Sequence, residues 1–137
     1  MNSESVVHAP RIVALGGGHG LYATLSAVRR LSDDVTAVVT VADDGGSSGR
    51  LRAELGMIPP GDLRMALAAL AGKDPRGGLW AEVGQHRFGG NGALAGHSVG
   101  NLLLAGLTEV LGDPVLALDE LGRVLDVAGR VLPMSPV

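Results

Sequence analysis

The chain has 137 residues, enough for one compact domain and too few for two ordinary ones. Its net charge of −3 gives no basic field for a phosphate backbone, which argues against generic nucleic-acid binding, and its lack of cysteine excludes disulfides, thiolate zinc sites and cysteine nucleophiles. With 46% hydrophobic but only 2% aromatic residues and 22 glycines, the core must be built from Leu, Val and Ala, with glycine shaping the loops of an α/β fold.

Met1 to Pro10 is polar and aperiodic, so residues 1–10 are expected to be a disordered tail and 11–137 the folded domain. This start lacks the apolar centre of a signal peptide, and no run is long enough to span a bilayer. A cytoplasmic protein without membrane insertion is expected. Arg11 to Leu15 reads as a first buried strand, emptying into Gly16-Gly17-Gly18-His19-Gly20. Leu21, Leu25, Val28 and Leu31 then recur at helical spacing, ended by Ser32-Asp33-Asp34. Val35 to Val41 returns as a second strand, beside the first and parallel to it, with both glycine loops at one edge of the sheet.

The second strand runs into Ala42-Asp43-Asp44-Gly45-Gly46-Ser47-Ser48-Gly49-Arg50, where carboxylates, glycines, hydroxyls and a cation meet at a strand's carboxyl end. Ser48 to Leu55 forms a short helix, stopped by Gly56 and Pro59-Pro60. Asp62 is placed to cap the next helix, whose Leu63, Ala66, Leu67 and Leu70 share a face, with Gly72 as its stop. Leu79 to His86 is a weak helix, and Gly89 to Gly92 a further glycine loop. After Gly96-His97-Ser98, the segment Asn101 to Leu111 is apolar almost all round, which predicts a helix buried on several sides. Asp113-Pro114 opens another helix to about Ala128, and Arg130 to Pro133 begins a strand.

In an open parallel sheet, ligands bind outside the carboxyl ends of the strands, where helix N-termini point into a crevice. Three loops supply candidates. Gly16, Gly17, Gly18, His19 and Gly20 follow a strand and precede a helix, so their backbone N–H groups can cradle a phosphate, although Leu21 stands where a dinucleotide fingerprint has its third glycine. In the second loop, Gly45 and Gly46 allow close approach, Ser47 and Ser48 can cap a helix or donate to phosphate oxygens, and Arg50 supplies a cation. Asp43 or Asp44 suits either a ribose hydroxyl or a magnesium ion shared with substrate phosphates, and Asp44, next to Gly45, is the sharper contact. Asp62 and Arg64 sit at a helix start, where Arg64 is either a solvated first-turn residue or an anion ligand. His97 and Asn101 bracket the mouth of the apolar helix.

Taken as a set, GGGHGL at 16–21, TVADDGGSSGRLR at 40–52, PPGDLR at 59–64, HRF at 86–88, GHSVGNLLLAGL at 96–107 and GRVLPMS at 129–135 resemble the YvcK-type gluconeogenesis factors. These belong to the wider family of the 2-phospho-lactate transferase CofD. The resemblance implies a Rossmann-like, three-layer α/β fold, here truncated at its C-terminal end, because family chains run to more than twice this length. It further implies a cytosolic protein that binds a UDP-sugar such as UDP-N-acetylglucosamine and supports cell shape and wall synthesis, with a cell-wall or regulatory protein as partner. Where many relatives carry Asn after PPGDLR, this chain has Met65.

Three functions fit these residues. The first is a nucleotide-sugar-binding regulator with its ligand between the loops at 16–20, 43–50 and 96–101. The second is a phospholactate-transferase-like enzyme using the same crevice with a divalent metal at Asp43 or Asp44. The third, an oxidoreductase with a bound dinucleotide, has only the glycine loop in its favour. Strands missing from a shortened sheet would leave apolar surface uncovered, so self-association into a homo-oligomer is expected.

Overall fold

The computed structural model describes residues 9–137. Most of the expected tail lies outside the described residues, and Ala9 and Pro10 are exposed without regular structure. The described elements are β1 (Ile12–Gly16), α1 (Gly18–Val28), β2 (Val35–Val39), α2 (Gly46–Leu55), α3 (Gly61–Leu70), α4 (Pro75–Gln85), α5 (Val99–Leu111), α6 (Pro114–Leu125) and β3 (Gly129–Pro133).

The strands form one parallel sheet in the order β1-β2-β3, so the first two are neighbours as expected. Side chains alternate across a strand, and register partners share a face. Ala14, Ala37 and Val131 are such a row, and all three are buried. Leucines of α1, α3, α5 and α6 pack on that side and make the core. The row Leu15, Val38 and Leu132 faces the other way, and there Leu15 is 70% and Val13 65% exposed. Of the three layers expected of a Rossmann-like α/β fold, the described residues thus supply the sheet and one layer of helices.

An open apolar sheet face invites association. Replacing Leu15 by lysine in the 137-residue polypeptide is expected to lower the associated fraction seen by light scattering. Stability should shift by no more than about 0.5 kcal/mol, as for other exposed positions. Association unchanged by the substitution would exonerate this face.

Several elements differ from their sequence expectations. β1 is shifted one residue onward and β2 stops at Val39, which leaves Thr40 to Gly45 as a loop. α1 ends before Leu31, which is 66% exposed and takes no part in the core. α4 begins at Pro75 rather than Leu79, because Asp74 accepts from Gly77 N and proline sets the first turn. The all-round burial expected of α5 belongs to α3. In α5 Gly100, Asn101, Leu104 and Ala105 are buried, whereas Val110 is 81% exposed. In α3 the leucine face and the flanks that carry Arg64 and Ala69 are buried, and Met65 and Ala68 on the far side are half-buried. Small alanines let neighbouring helices close around α3, which hydrophobic content alone does not reveal.

Candidate functional site

The loops leaving β1 and β2 open on a cleft of about 620 Å³ at the carboxyl edge of the sheet. The first residues of three helices, Gly18 of α1, Gly46 of α2 and Gly61 of α3, line it together. None of these helices has a side-chain hydrogen bond from its N-cap residue, which is Gly17, Gly45 and Pro60 in turn. The other three are capped in the ordinary way by Asp74, Ser98 and Asp113. First-turn N–H groups have no partner within their own helix, and the helix dipole adds partial positive charge there. Three helix ends without an N-cap side chain are therefore gathered at the cleft, although one first-turn donor, Gly61 N, is taken by Ser48 Oγ.

Two corrections follow for the sequence reading of these starts. Asp62 does not cap α3; it lies in the first turn, and its Oδ2 accepts from Thr40 Oγ1 at 3.2 Å. Ser47 and Ser48 do not cap α2, because the helix begins two residues earlier than expected and carries both into its buried first turn. There Ser48 Oγ accepts from Gly61 N at 2.9 Å, tying α2 to the start of α3. The tie is tight: a Cβ on Gly61 would lie 2.4 Å from Ser48 Oγ and 3.0 Å from Asp43 Oδ2.

The cleft brings together Gly18, His19, Asp43, Gly45, Gly46, Ser47, Ser48, Asp62 and Arg64 of the expected site, and His19 is exposed on its rim. Gly16 and Gly17 carry the chain from β1 to α1, while Gly20 lies within α1 and is exposed. Asp43, not Asp44, faces the cleft: Asp43 Oδ1 accepts from Gly45 N at 3.0 Å, whereas Asp44 is exposed and absent from the lining. Arg50 is also absent from it. Its Nη1 and Nη2 donate to the carbonyls of Ala95 and Ala93 at 2.6 and 2.7 Å, clamping the segment ahead of His97. Thr40, Ala42, Met65 and Arg87 complete the wall and are not among the ligand contacts expected from sequence. Arg87 arrives through an antiparallel bridge to Ser98, a pairing between distant segments for which the local sequence offers no period.

Behind the wall runs a chain of buried polar groups. Arg64, 7% exposed, donates from Nε to Asn101 Oδ1 at 2.9 Å and from Nη1 to Gln85 Oε1. The solvated reading of Arg64 is thereby corrected: the residue is buried and bound, because α4 and α5 close over α3. Asn101 Nδ2 donates to Ser47 Oγ at 3.1 Å, and Ser47 Oγ lies 2.7 Å from His97 Nδ1. His97 and Asn101 thus stand behind the cleft rather than on it. Burial and the neighbouring Arg87 lower the Arg64 pKa to about 10, with Asp62 and Asp43 opposing, so it stays cationic at neutral pH. Burial, assisted by Arg50 and opposed by Glu54, holds His97 below the usual histidine range, so it is neutral there.

The sequence profile described as 2-phospho-L-lactate transferase CofD matches residues 12–137. The chain belongs to the CofD family. Among family relatives, it is 79% identical over 126 residues to a Mycobacterium tuberculosis protein, covering 92% of this chain and 37% of that one. It is 51% identical to the gluconeogenesis factor of Bacillus subtilis, again over 92% of this chain and 39% of the relative. A crystal structure of a Bacillus halodurans protein superposes with a TM-score of 0.87 at 48% identity, covering 94% of this chain and 40% of that one. The chain therefore spans a little over a third of the length of these CofD-family relatives. No helix among the described residues is long and apolar enough to cross a membrane.

Proposed function

We propose that the cleft binds a nucleotide sugar of the UDP-N-acetylglucosamine kind. Its phosphates would lie against the starts of α1, α2 and α3, in a cytoplasmic regulator of gluconeogenesis-factor type that acts on cell shape and wall synthesis through a protein partner. The observation that carries the reading is the convergence of three helix N-termini without N-cap side chains, beside Arg64 and Arg87. A cleft of this size also suits a ligand larger than phosphate alone. The choice of sugar and the role in wall synthesis rest on the family resemblance. Calorimetric titration of UDP-N-acetylglucosamine with magnesium into the full-length polypeptide tests it. Heat is expected from this ligand, and a flat titration would overturn the reading.

The acidic contact belongs to Asp43, which lines the cleft where Asp44 does not. Asp43→Ala is expected to weaken UDP-N-acetylglucosamine by about ten- to a hundred-fold, as for loss of a hydrogen bond to a charged group of about 1.5–3 kcal/mol. Asp44→Ala should leave affinity unchanged. Tighter binding by Asp43→Ala would mean that the carboxylate merely repels the ligand's phosphates.

A second reading, a phospholactate-transferase-like enzyme, draws on the two carboxylates of the cleft wall. Asp43 Oδ1 and Asp62 Oδ2 are hydrogen-bonded, which leaves one oxygen of each for a cation. No cluster of three or more acidic or histidine ligands exists among the described residues. Magnesium here would accordingly be completed by phosphate oxygens and water. Mass spectrometry of a UDP-sugar incubated with the protein and magnesium separates the readings, since the regulator returns it unchanged.

A further inference from the structure

The buried chain behind the cleft fixes donor and acceptor from Arg64 through Asn101 to Ser47. Arginine can only donate, so the Asn101 atom facing Arg64 Nε must be the oxygen. Asn101 therefore turns its amide nitrogen to Ser47 Oγ and donates to it. Ser47 keeps one proton of its own, and His97 Nδ1, at 2.7 Å, is the remaining partner of its hydroxyl among the described residues. A proton on Nδ1 would leave the Ser47 proton only the cleft to donate into, whereas a proton on Nε2 lets the Ser47 proton continue the chain to His97. The second arrangement pairs the Ser47 proton without any ligand, with His97 as the acceptor and its own proton on Nε2. Its pKa, lowered chiefly by burial, agrees with a neutral ring.

We infer that the relay Arg64 to Asn101 to Ser47 to His97 locks the Ser47 hydroxyl as an acceptor toward the cleft, making Ser47 the contact for a hydroxyl or amide donor on the ligand rather than for a phosphate oxygen. Ser48 has the opposite polarity. Its oxygen already accepts from Gly61 N, and its proton remains free to donate to an anion at the same wall. Two adjacent serines thus sort the two halves of the ligand: Ser48 takes phosphate and Ser47 takes sugar or ribose. This assignment rests on the nucleotide-sugar reading and departs from the expectation that both serines donate to phosphate.

The test compares two ligands in the full-length polypeptide, UDP-N-acetylglucosamine and inorganic pyrophosphate, at fixed magnesium. Ser47→Ala is expected to weaken the nucleotide sugar by about five- to tenfold and leave pyrophosphate unchanged, as loss of a neutral hydrogen bond to one half of the ligand would. Ser48→Ala should weaken both. Equal losses of both ligands in Ser47→Ala would overturn the assignment, because Ser47 would then be a phosphate donor. Nitrogen-15 NMR of the ring reads the relay without any ligand. A neutral His97 protonated at Nε2 supports it, and a proton on Nδ1 overturns it whether or not a ligand binds. If neither ligand binds wild type while the Nε2 tautomer is found, the nucleotide-sugar reading and the ligand half of the inference both fall, and the proton order alone stands.

Discussion

Arg64→Ala is expected to destabilise the fold by about 2–4 kcal/mol and to abolish measurable ligand binding. Two losses combine in the stability figure. Asn101, 1% exposed, keeps a buried carbonyl oxygen with no donor, a penalty of about 1–3 kcal/mol. The aliphatic stem leaves a gap as well, for α5 packs so close that a Cβ on Gly100 would lie 2.8 Å from Arg64 Cδ. Binding suffers separately, since the cleft loses a cation and Ser47 loses the partner that orients its donor. Arg64→Lys keeps the charge but lacks the fork that reaches Asn101 and Gln85 together, so it should fall between alanine and wild type in thermal melts. An alanine variant that melts with wild type would show that the relay has no part in holding α3, α4 and α5 together.

Gly17→Ala is expected to cost about 1–3 kcal/mol and to reduce ligand affinity through the same displacement. Gly17 has φ of −166°, extended backbone open to any residue, so its requirement is one of space. An added Cβ would lie 2.1 Å from Thr40 Oγ1 and 2.6 Å from Asp62 Oδ2. Those two atoms hydrogen-bond to each other and join the end of β2 to the first turn of α3. Alanine must push them apart, and the start of α3 with them. Gly20→Ala, where a Cβ meets nothing within 4 Å, is the control and should bind as wild type does. Equal melting temperatures and affinities for the two variants would remove the close approach from the account of the site.

Local sequence pattern carries the strand, glycine-loop and helix order well, because each depends on residues adjacent in the chain. Ile12 to Gly16 is an apolar run and Val35 to Val39 one interrupted only by Thr36, and their parallel pairing follows from the short helical connection between them. Ser98 and Asp113, residue types suited to a helix N-cap, accept the capping bonds of α5 and α6. What the pattern hides is partnership at a distance. Asp62 has the chemistry of a cap, yet α3 begins one residue ahead of it and Thr40, 22 residues away, donates to its carboxylate. Arg64 reads as a surface cation until Gln85 and Asn101 close over it. Asp43 and Asp44 are indistinguishable as letters, and the turn made by Gly45 N bonding to Asp43 Oδ1 decides which one meets the cleft. The signal for Arg87 is the HRF block at 86–88, which no local period ties to the cleft.

The crossover between β2 and β3 also sets an order of events in folding. The cleft wall comes from one continuous stretch, Gly18 to Met65, with Arg87 as the exception. β3, by contrast, must bring Gly129 beside Val35 across α2 to α6. Closing so large a loop costs chain entropy before its contacts repay it, so this pairing is the slow, late step. A ribosome-bound chain can therefore assemble most of the cleft wall before the third strand has been made, and any ligand that held the three helix starts together would act as a template for the strand still to come.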